Sequence, residues 1–290
     1  MGAADVVPGV SGGTIAFISG IYEELLSSIR ACTPLALVSL FRDGPQIFWR
    51  RINGTFLSVL FSGILFSVAT LARLIVYLLD HQPLLLWSFF FGLIVASILF
   101  IWRQLRRKGV WEYVFLLLGL CAALTSAFSP AVQLEPTMPV VFGAGMLAIC
   151  AMILPGISGS FILLLLGMYS VILGAVSAAD FSLLAIFTLG CVAGLMVFSR
   201  LLSWLLSRFH GLTLSVLTGF LTGSLVMVWP WRESAMAVGD GHSAGLHLLT
   251  PVQYAQVLGD SRLPAALGLM LVGFMLVLLL EYAGGRRTSF

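Results

Sequence analysis

An all-α, multi-span membrane protein is the fold class predicted by three features of the sequence. Of 290 residues, 60% are hydrophobic and 9% charged, with a mean hydropathy of +1.07. Soluble domains carry about 25% charged residues, so a water-exposed fold is excluded. The apolar residues fall in long blocks broken by short polar turns, and the segment PGVSGG at Pro8–Gly13 has a near-copy, PGISGS, at Pro155–Ser160. These features predict two inverted-topology repeats, 1–135 and 136–290, within one membrane domain. Each repeat is read as a re-entrant broken-helix hairpin followed by three transmembrane helices. The length suits about eight to ten segments of about 20 residues.

The spans are justified in chain order. Apolar stretches near 54–79, 84–102, 111–129, 182–205, 212–229 and 264–282 are each long enough to cross. Between them lie RQLRRK at Arg103–Lys108, a turn at Asp80–Pro83 and a polar loop from Pro230 to Arg262, read as a solvated cap. Basic residues set the orientation. With Arg103–Lys108 in the cytoplasm, alternation also places 30–53, 206–211 and the C-terminal Arg286-Arg287 there. Twelve of the fifteen Lys and Arg residues then lie on or near that side, leaving Arg73, Arg232 and Arg262 toward the other. The expected location is the bacterial plasma (inner) membrane, multi-pass, with a cytoplasmic C-terminus. No basic region with a short apolar core and cleavage site opens the chain, so no signal peptide is expected.

The stretch 140–175 holds two apolar arms on either side of PGISGS, neither a comfortable span at 1.5 Å per residue. Charge alternation requires both ends to meet the same side. A re-entrant hairpin satisfies this, and two tilted short spans would preserve the same parity. Shifting the first motif by 147 positions superposes Pro8, Gly9, Ser11, Gly12, Gly20 and Tyr22 on Pro155, Gly156, Ser158, Gly159, Gly167 and Tyr169. The pattern P-G-[VI]-S-G-x7-G-x-Y therefore occurs twice. FGLIVASILFIW at Phe91–Trp102 is echoed by TGFLTGSLVMVW at Thr218–Trp229. Three crossings separate the two motifs, an odd number, so the second copy starts on the opposite side. Matching Gly/Pro-interrupted segments in two such halves point to the substrate site of a secondary transporter.

The residue types suit an anion. Backbone groups in hydrocarbon must be paired, so a broken helix is tolerated only against protein or a polar cavity. Pro8-Gly9 and Pro155-Gly156 are the structural breaks, because proline lacks a donor and glycine accepts positive φ. Ser11 and Ser158 are N-cap candidates for the half-helices that follow. Ser11, Gly12, Gly13, Thr14, Ser158, Gly159 and Ser160 form the candidate phosphate-binding set, offering N–H groups and hydroxyls at helix starts. Glycines serving only close helix packing is the plain alternative. Asp5, Glu23, Glu24 and Arg73 are gating or coupling candidates. Each also has an ordinary reading, as a cap, a partner of Arg73 or a snorkelling side chain. Glu281 reads as interfacial, and Trp102, Trp229 and Trp231 as belt anchors.

Other classes fit poorly. Cys32, Cys121, Cys150 and Cys191 form no CxxC pair and read as packing residues, so neither a metal site nor redox chemistry is expected. A net charge of +3 is too dispersed for nucleic acid. His81, His210, His242 and His247 lie in loops or near helix ends away from both motifs, which leaves an intramembrane phosphatase without a catalytic group. The chain is therefore expected to be no enzyme and to hold no cofactor. H+ or Na+ is the candidate coupling ion, and a homodimer is allowed but not required. A carrier of a small soluble anion is the nearest rival, and a structural scaffold the weakest.

The sequence also resembles a known family, the polyprenyl-phosphate transporters, long filed as integral membrane proteins of unknown function. The matching stretches are GAADVVPGVSGGTIAFISGIYEEL at Gly2–Leu25, FFFGLIVAS at Phe89–Ser97, LPGISGSFILLLLGMY at Leu154–Tyr169 and GFLTGSLVMVWPW at Gly219–Trp231. The resemblance implies translocation of undecaprenyl phosphate, the C55 carrier lipid, from outer to inner leaflet of the plasma membrane. That step recycles the carrier for peptidoglycan synthesis. Its partners would be undecaprenyl phosphate and membrane lipids. A phosphate head needs partners to cross, while the isoprenoid tail can stay in lipid.

Overall fold

Polar and helix-breaking residues end the helices where the apolar blocks stop. The computed structural model describes residues 1–2, 11–32, 42, 44–105, 109–129, 132, 134–233, 247–257 and 260–285. Asp5, Pro8 and Gly9 lie outside the described residues. Helix α1 (Gly12–Ile18), α2 (Tyr22–Ala31) and α3 (Pro45–Arg51) precede the first span, α4 (Gly54–His81). Helices α5 (Pro83–Gln104) and α6 (Val110–Phe128) complete the first half. Then come α7 (Met138–Ile153), α8 (Gly159–Leu165), α9 (Tyr169–Ser177), α10 (Phe181–Arg208) and α11 (His210–Met227). Strand β1 (Arg232–Glu233) pairs antiparallel with β2 (His247–Leu248), and α12 (Pro251–Val257) leads into α13 (Leu263–Gly285). Apart from that two-residue ladder the described chain is helical. The helices α4, α5, α6, α10, α11 and α13 are long and apolar enough to cross a membrane, one for each stretch the sequence marks.

The segment after α7 differs from a simple hairpin. It breaks at Leu154–Ser158 and again at Leu166–Met168, and α8 and α9 are bent by 106°. At seven residues α8 is about 10 Å long, far short of the bilayer's apolar thickness. The second break has a local cause. Gly167 takes a φ of 68°, its N–H donates to Leu164 O and the Met168 N–H donates to Leu163 O. This is a Schellman end, which needs a left-handed residue at its corner. The same bonds recur at the end of α1, where Gly20 has a φ of 72° and the donors are Gly20 N and Ile21 N. Gly20 and Gly167, paired in the repeat, thus serve matching turns.

The chain divides into two compact units, Met1–Arg73 with Val132–His210 and Leu74–Ala131 with Gly211–Phe290. Each takes one segment from each expected repeat, so a unit and a repeat are different divisions of the chain. In the first unit α7 packs along α10, with α8 and α1 also against α7. A Cβ on Gly190 would stand 2.1 Å from Phe142 O, so only glycine permits this approach. Val141, Ala144, Ala148, Leu163 and Met168 form a buried core there.

In the second unit α5 packs along α13. A Cβ on Gly92 would meet Met270 O, and one on Gly273 would meet Phe89 O. Helices α6 and α11 make the equivalent crossing, Gly119 against Val216 O and Gly219 against Leu116 O. Beyond α11 the polar cap is pinned by tryptophans: Trp229 Nε1 donates to Leu249 O and Trp231 Nε1 to Ser261 O. Arg232 lies over the Trp87 ring, 4.0 Å from its centroid, and donates to Met227 O. Burial pushes its guanidinium down to about 10.

Candidate functional site

Side chains of the first motif meet the second break within the first unit, although 131 to 142 residues of chain separate the partners. Three side chains make the contact. Ser11 Oγ donates to Met152 O at 2.8 Å, and Tyr22 OH donates to Ile153 O at 3.0 Å. Thr14 Oγ1 accepts from the Gly156 N–H at 3.1 Å. Helix α7 ends at Ile153, and the last carbonyls of a helix have no intrahelical partner. The hydroxyls of Ser11 and Tyr22 therefore satisfy carbonyls that the break strands, and Thr14 satisfies the break's own donor. Gly156 sits at a φ of 91°, a conformation that residues with a Cβ rarely adopt.

The two predicted N-caps differ in detail. Ser11 caps α1 through its side chain, accepting from Gly13 N at 3.0 Å. Ser158 takes the extended N-cap backbone of α8 without a side-chain cap bond. Its Oγ instead lies 2.8 Å from Ser160 Oγ. Ser11 and Thr14 are each 1% exposed and Ser158 8%. Two glycines of the set carry packing. A Cβ on Gly13 would be 2.5 Å from Ile153 O, and one on Gly159 2.6 Å from Ala148 O. Gly12 opens α1 beside them.

A cavity of about 260 Å³ opens at this junction. Ser11, Ser158, Gly159 and Ser160 line it, together with apolar residues that include Ala148, Met152, Leu163 and Phe187. A lining of hydroxyls beside hydrocarbon suits an amphiphile's head and the start of its tail. Four of the seven predicted phosphate-site residues thus border one cavity, while Thr14 and Gly13 hold its frame together. Sequence reasoning did not single out Phe187 or Cys191 of α10 as lining residues; nothing in their local pattern marks them. Tyr22 was legible as a repeated motif position, but its role as a strut was not.

The gating candidates stand apart from the cavity. Glu23 is at the surface, with Oε1 3.6 Å from His210 Nε2. Glu24 Oε1 accepts from Asn53 Nδ2 at 2.8 Å. Arg73 is exposed on α4 and does not line the cavity. Asp5, as noted, lies outside the described residues.

Comparison with known proteins agrees with the resemblance seen in the motifs. The family model described as VCA0040-like, undecaprenyl phosphate translocase-like, matches residues 1–245. A polyprenyl-phosphate transporter of Vibrio cholerae serotype O1 is 48% identical over 286 residues, 97% of this chain and 93% of that one. One of the same name from Staphylococcus aureus is 31% identical over 250 residues, covering 79% of this chain and 83% of the other. No solved structure matches the chain. By both its family match and its relatives, the chain belongs to the undecaprenyl phosphate translocase-like family of multi-span membrane proteins.

Proposed function

We propose that the protein translocates undecaprenyl phosphate across the bacterial plasma membrane, from outer to inner leaflet, recycling the carrier for peptidoglycan synthesis. The observation that carries the reading is that Ser11 of the first motif and Ser158, Gly159 and Ser160 of the second border one cavity whose other lining residues are mostly apolar. Relatives named polyprenyl-phosphate transporters support the cargo class. Ser158 and Ser160 hold the phosphate, with Ser11 framing the site through its bond to Met152 O, and the tail leaves through apolar surroundings into lipid. Hydroxyl and amide dipoles bind an anion more weakly than a fixed cation would, which suits a site that must release to either side.

The two repeats move in an alternating-access cycle. The matching glycine crossings of α5 with α13 and α6 with α11 support their equivalence, as do the matching turns at Gly20 and Gly167. An H+ or Na+ gradient drives uptake, with Asp5, Glu23 or Glu24 as the carrier of the coupling charge. The chemistry asked of the protein is binding and reorientation, with no bond made or broken.

The test is reconstitution in sealed vesicles with a labelled C55 polyprenyl phosphate, its leaflet position followed with and without imposed ion gradients. Gradient-dependent movement of the intact lipid is expected. Movement of inorganic phosphate alone would replace this reading with that of a soluble-anion carrier, and release of phosphate from the lipid would make the protein an enzyme.

A further inference from the structure

A second cavity, of about 240 Å³, lies in the other unit at the turn between α4 and α5. It has a different character. His81, Gln82, Tyr254, Asp260 and Arg262 line it, and Leu84 and Leu85 form an apolar wall. That wall is part of the buried cluster holding Trp231 and Ala266, with Trp229, Tyr254 and Met270 packed against it. The indole of Trp231 grips Ser261 O at 3.1 Å. The segment that carries Asp260 and Arg262 is therefore anchored to the core.

Its polar groups are arranged for an anion that also carries a proton. Arg262 Nη1 donates to the neutral amide Gln82 Oε1 at 2.5 Å. Among the described residues the one ion pair is Glu23 with His210, so Arg262 makes no direct contact with a described carboxylate. The Asp260 carboxylate accepts the Arg262 backbone N–H at 3.0 Å, and both residues line the cavity. Arg262 has a φ of 41°, a left-handed conformation costing about 1 kcal/mol or more in a residue with a Cβ. His81 Nδ1 lies 2.9 Å from Tyr77 O. A carbonyl only accepts, so Nδ1 donates to it.

One guanidinium therefore shares the cavity with one carboxylate. A phosphodiester offers four oxygens and no proton, so it meets the guanidinium but confronts the carboxylate. A phosphate monoester has a second pKa of about 6. In its singly protonated form it brings a P–OH that Asp260 can accept, while its remaining oxygens face Arg262.

We infer that this cavity docks a phosphate monoester, with Arg262 binding the anionic oxygens and Asp260 taking the P–OH, and so rejects the diester heads of bulk phospholipids. Free phosphate has the same chemistry. The choice of a lipid monoester as the ligand rests on the function proposed above. Selection is then made at a site separate from the serine-lined cavity: the head is chosen in one place and carried in another.

The test uses the full chain in phosphatidylcholine nanodiscs, titrated with farnesyl phosphate, its methyl diester and inorganic phosphate. The wild type should prefer monoester to diester by about tenfold or more, the scale of one charge-assisted hydrogen bond. Asp260→Asn should cut that preference to about threefold or less without weakening the diester, and Arg262→Gln should weaken both by at least about fivefold. An unchanged ratio in Asp260→Asn, whose fold is checked by its melting curve, overturns the proposal. Binding of inorganic phosphate with no binding of farnesyl phosphate overturns the lipid source. Failure of the vesicle assay would remove the carrier function while leaving this selectivity in place. Transport with selectivity indifferent to Asp260→Asn would remove this inference alone.

Discussion

Hydroxyl groups divide the work at the junction of the two breaks. Serine and glycine in the motifs were legible as an anion-suited pattern from their place just after a Pro-Gly break, at the start of a helix. The sequence did not show that Ser11, Thr14 and Tyr22 direct hydroxyls to backbone 131 to 142 residues away, because no local rule reports a partner at such range. Among the described residues the hydroxyls of Ser158 and Ser160 bond only to each other, and a hydroxyl pair can turn toward a ligand at little cost. Two classes of variant should separate. Tyr22→Phe and Thr14→Val each leave a buried backbone group unpaired and should lower stability by about 0.5–1.5 kcal/mol, read from thermal unfolding in detergent. Ser160→Ala should leave the melting temperature unchanged and slow lipid translocation in vesicles. A stability loss in Ser160→Ala equal to that of Thr14→Val would make the pair structural.

Helix ends carry the next level of specificity. The six spans were readable because a run of 18 or more apolar residues has few alternatives. The extra break after α8 was not, since a seven-residue arm is too short for any periodicity to register. Its signal was present as the spaced Gly of the repeat, which pattern matching found and physical reasoning left unassigned. Gly20 isolates the backbone effect: a Cβ there would meet nothing within 4 Å, yet φ is 72°. Gly20→Ala should therefore cost about 1–2 kcal/mol from conformation alone. Gly20→Asn should recover part of it, because Asn tolerates the left-handed region. The converse test is Ala179, which ends α9 at a φ of 54° with the same Schellman bonds, Ala179 N to Val176 O and Asp180 N to Ala175 O. Ala179→Gly should raise stability by a few tenths to about 1 kcal/mol. Equal melting temperatures for wild type and both glycine-site variants would show that these turns relax without strain.

At the scale of the whole chain, charge distribution predicts what helix packing does not contain. The compact units follow contacts, and contacts are indifferent to which end of a span faces the cytoplasm. Orientation is written in the Lys and Arg residues, which resist transfer across the membrane. Helix α11, His210–Met227, is the one described span between Ser207 and Gln256, so these positions lie on opposite faces if it crosses. Between Gln46 and the loop before α7 lie three spans, α4, α5 and α6. An odd number inverts the second repeat if all three cross. With Cys32, Cys121, Cys150 and Cys191 replaced by alanine, single cysteines at Gln46, Ser207 and Gln256, all exposed, report the topology through an impermeant maleimide added to intact spheroplasts. Gln256→Cys should label at once, while Gln46→Cys and Ser207→Cys should label only after the membrane is opened. Labelling of Ser207→Cys from outside would reverse the orientation. If Gln46→Cys and Ser207→Cys fell on opposite sides, an odd number of crossings would lie between them, so either one of α4, α5 and α6 does not cross or the α7–α9 segment crosses instead of returning. In the first case the breaks would enter from the same face, and an alternating-access cycle between inverted halves would have no geometric basis; in the second the re-entrant hairpin would be lost.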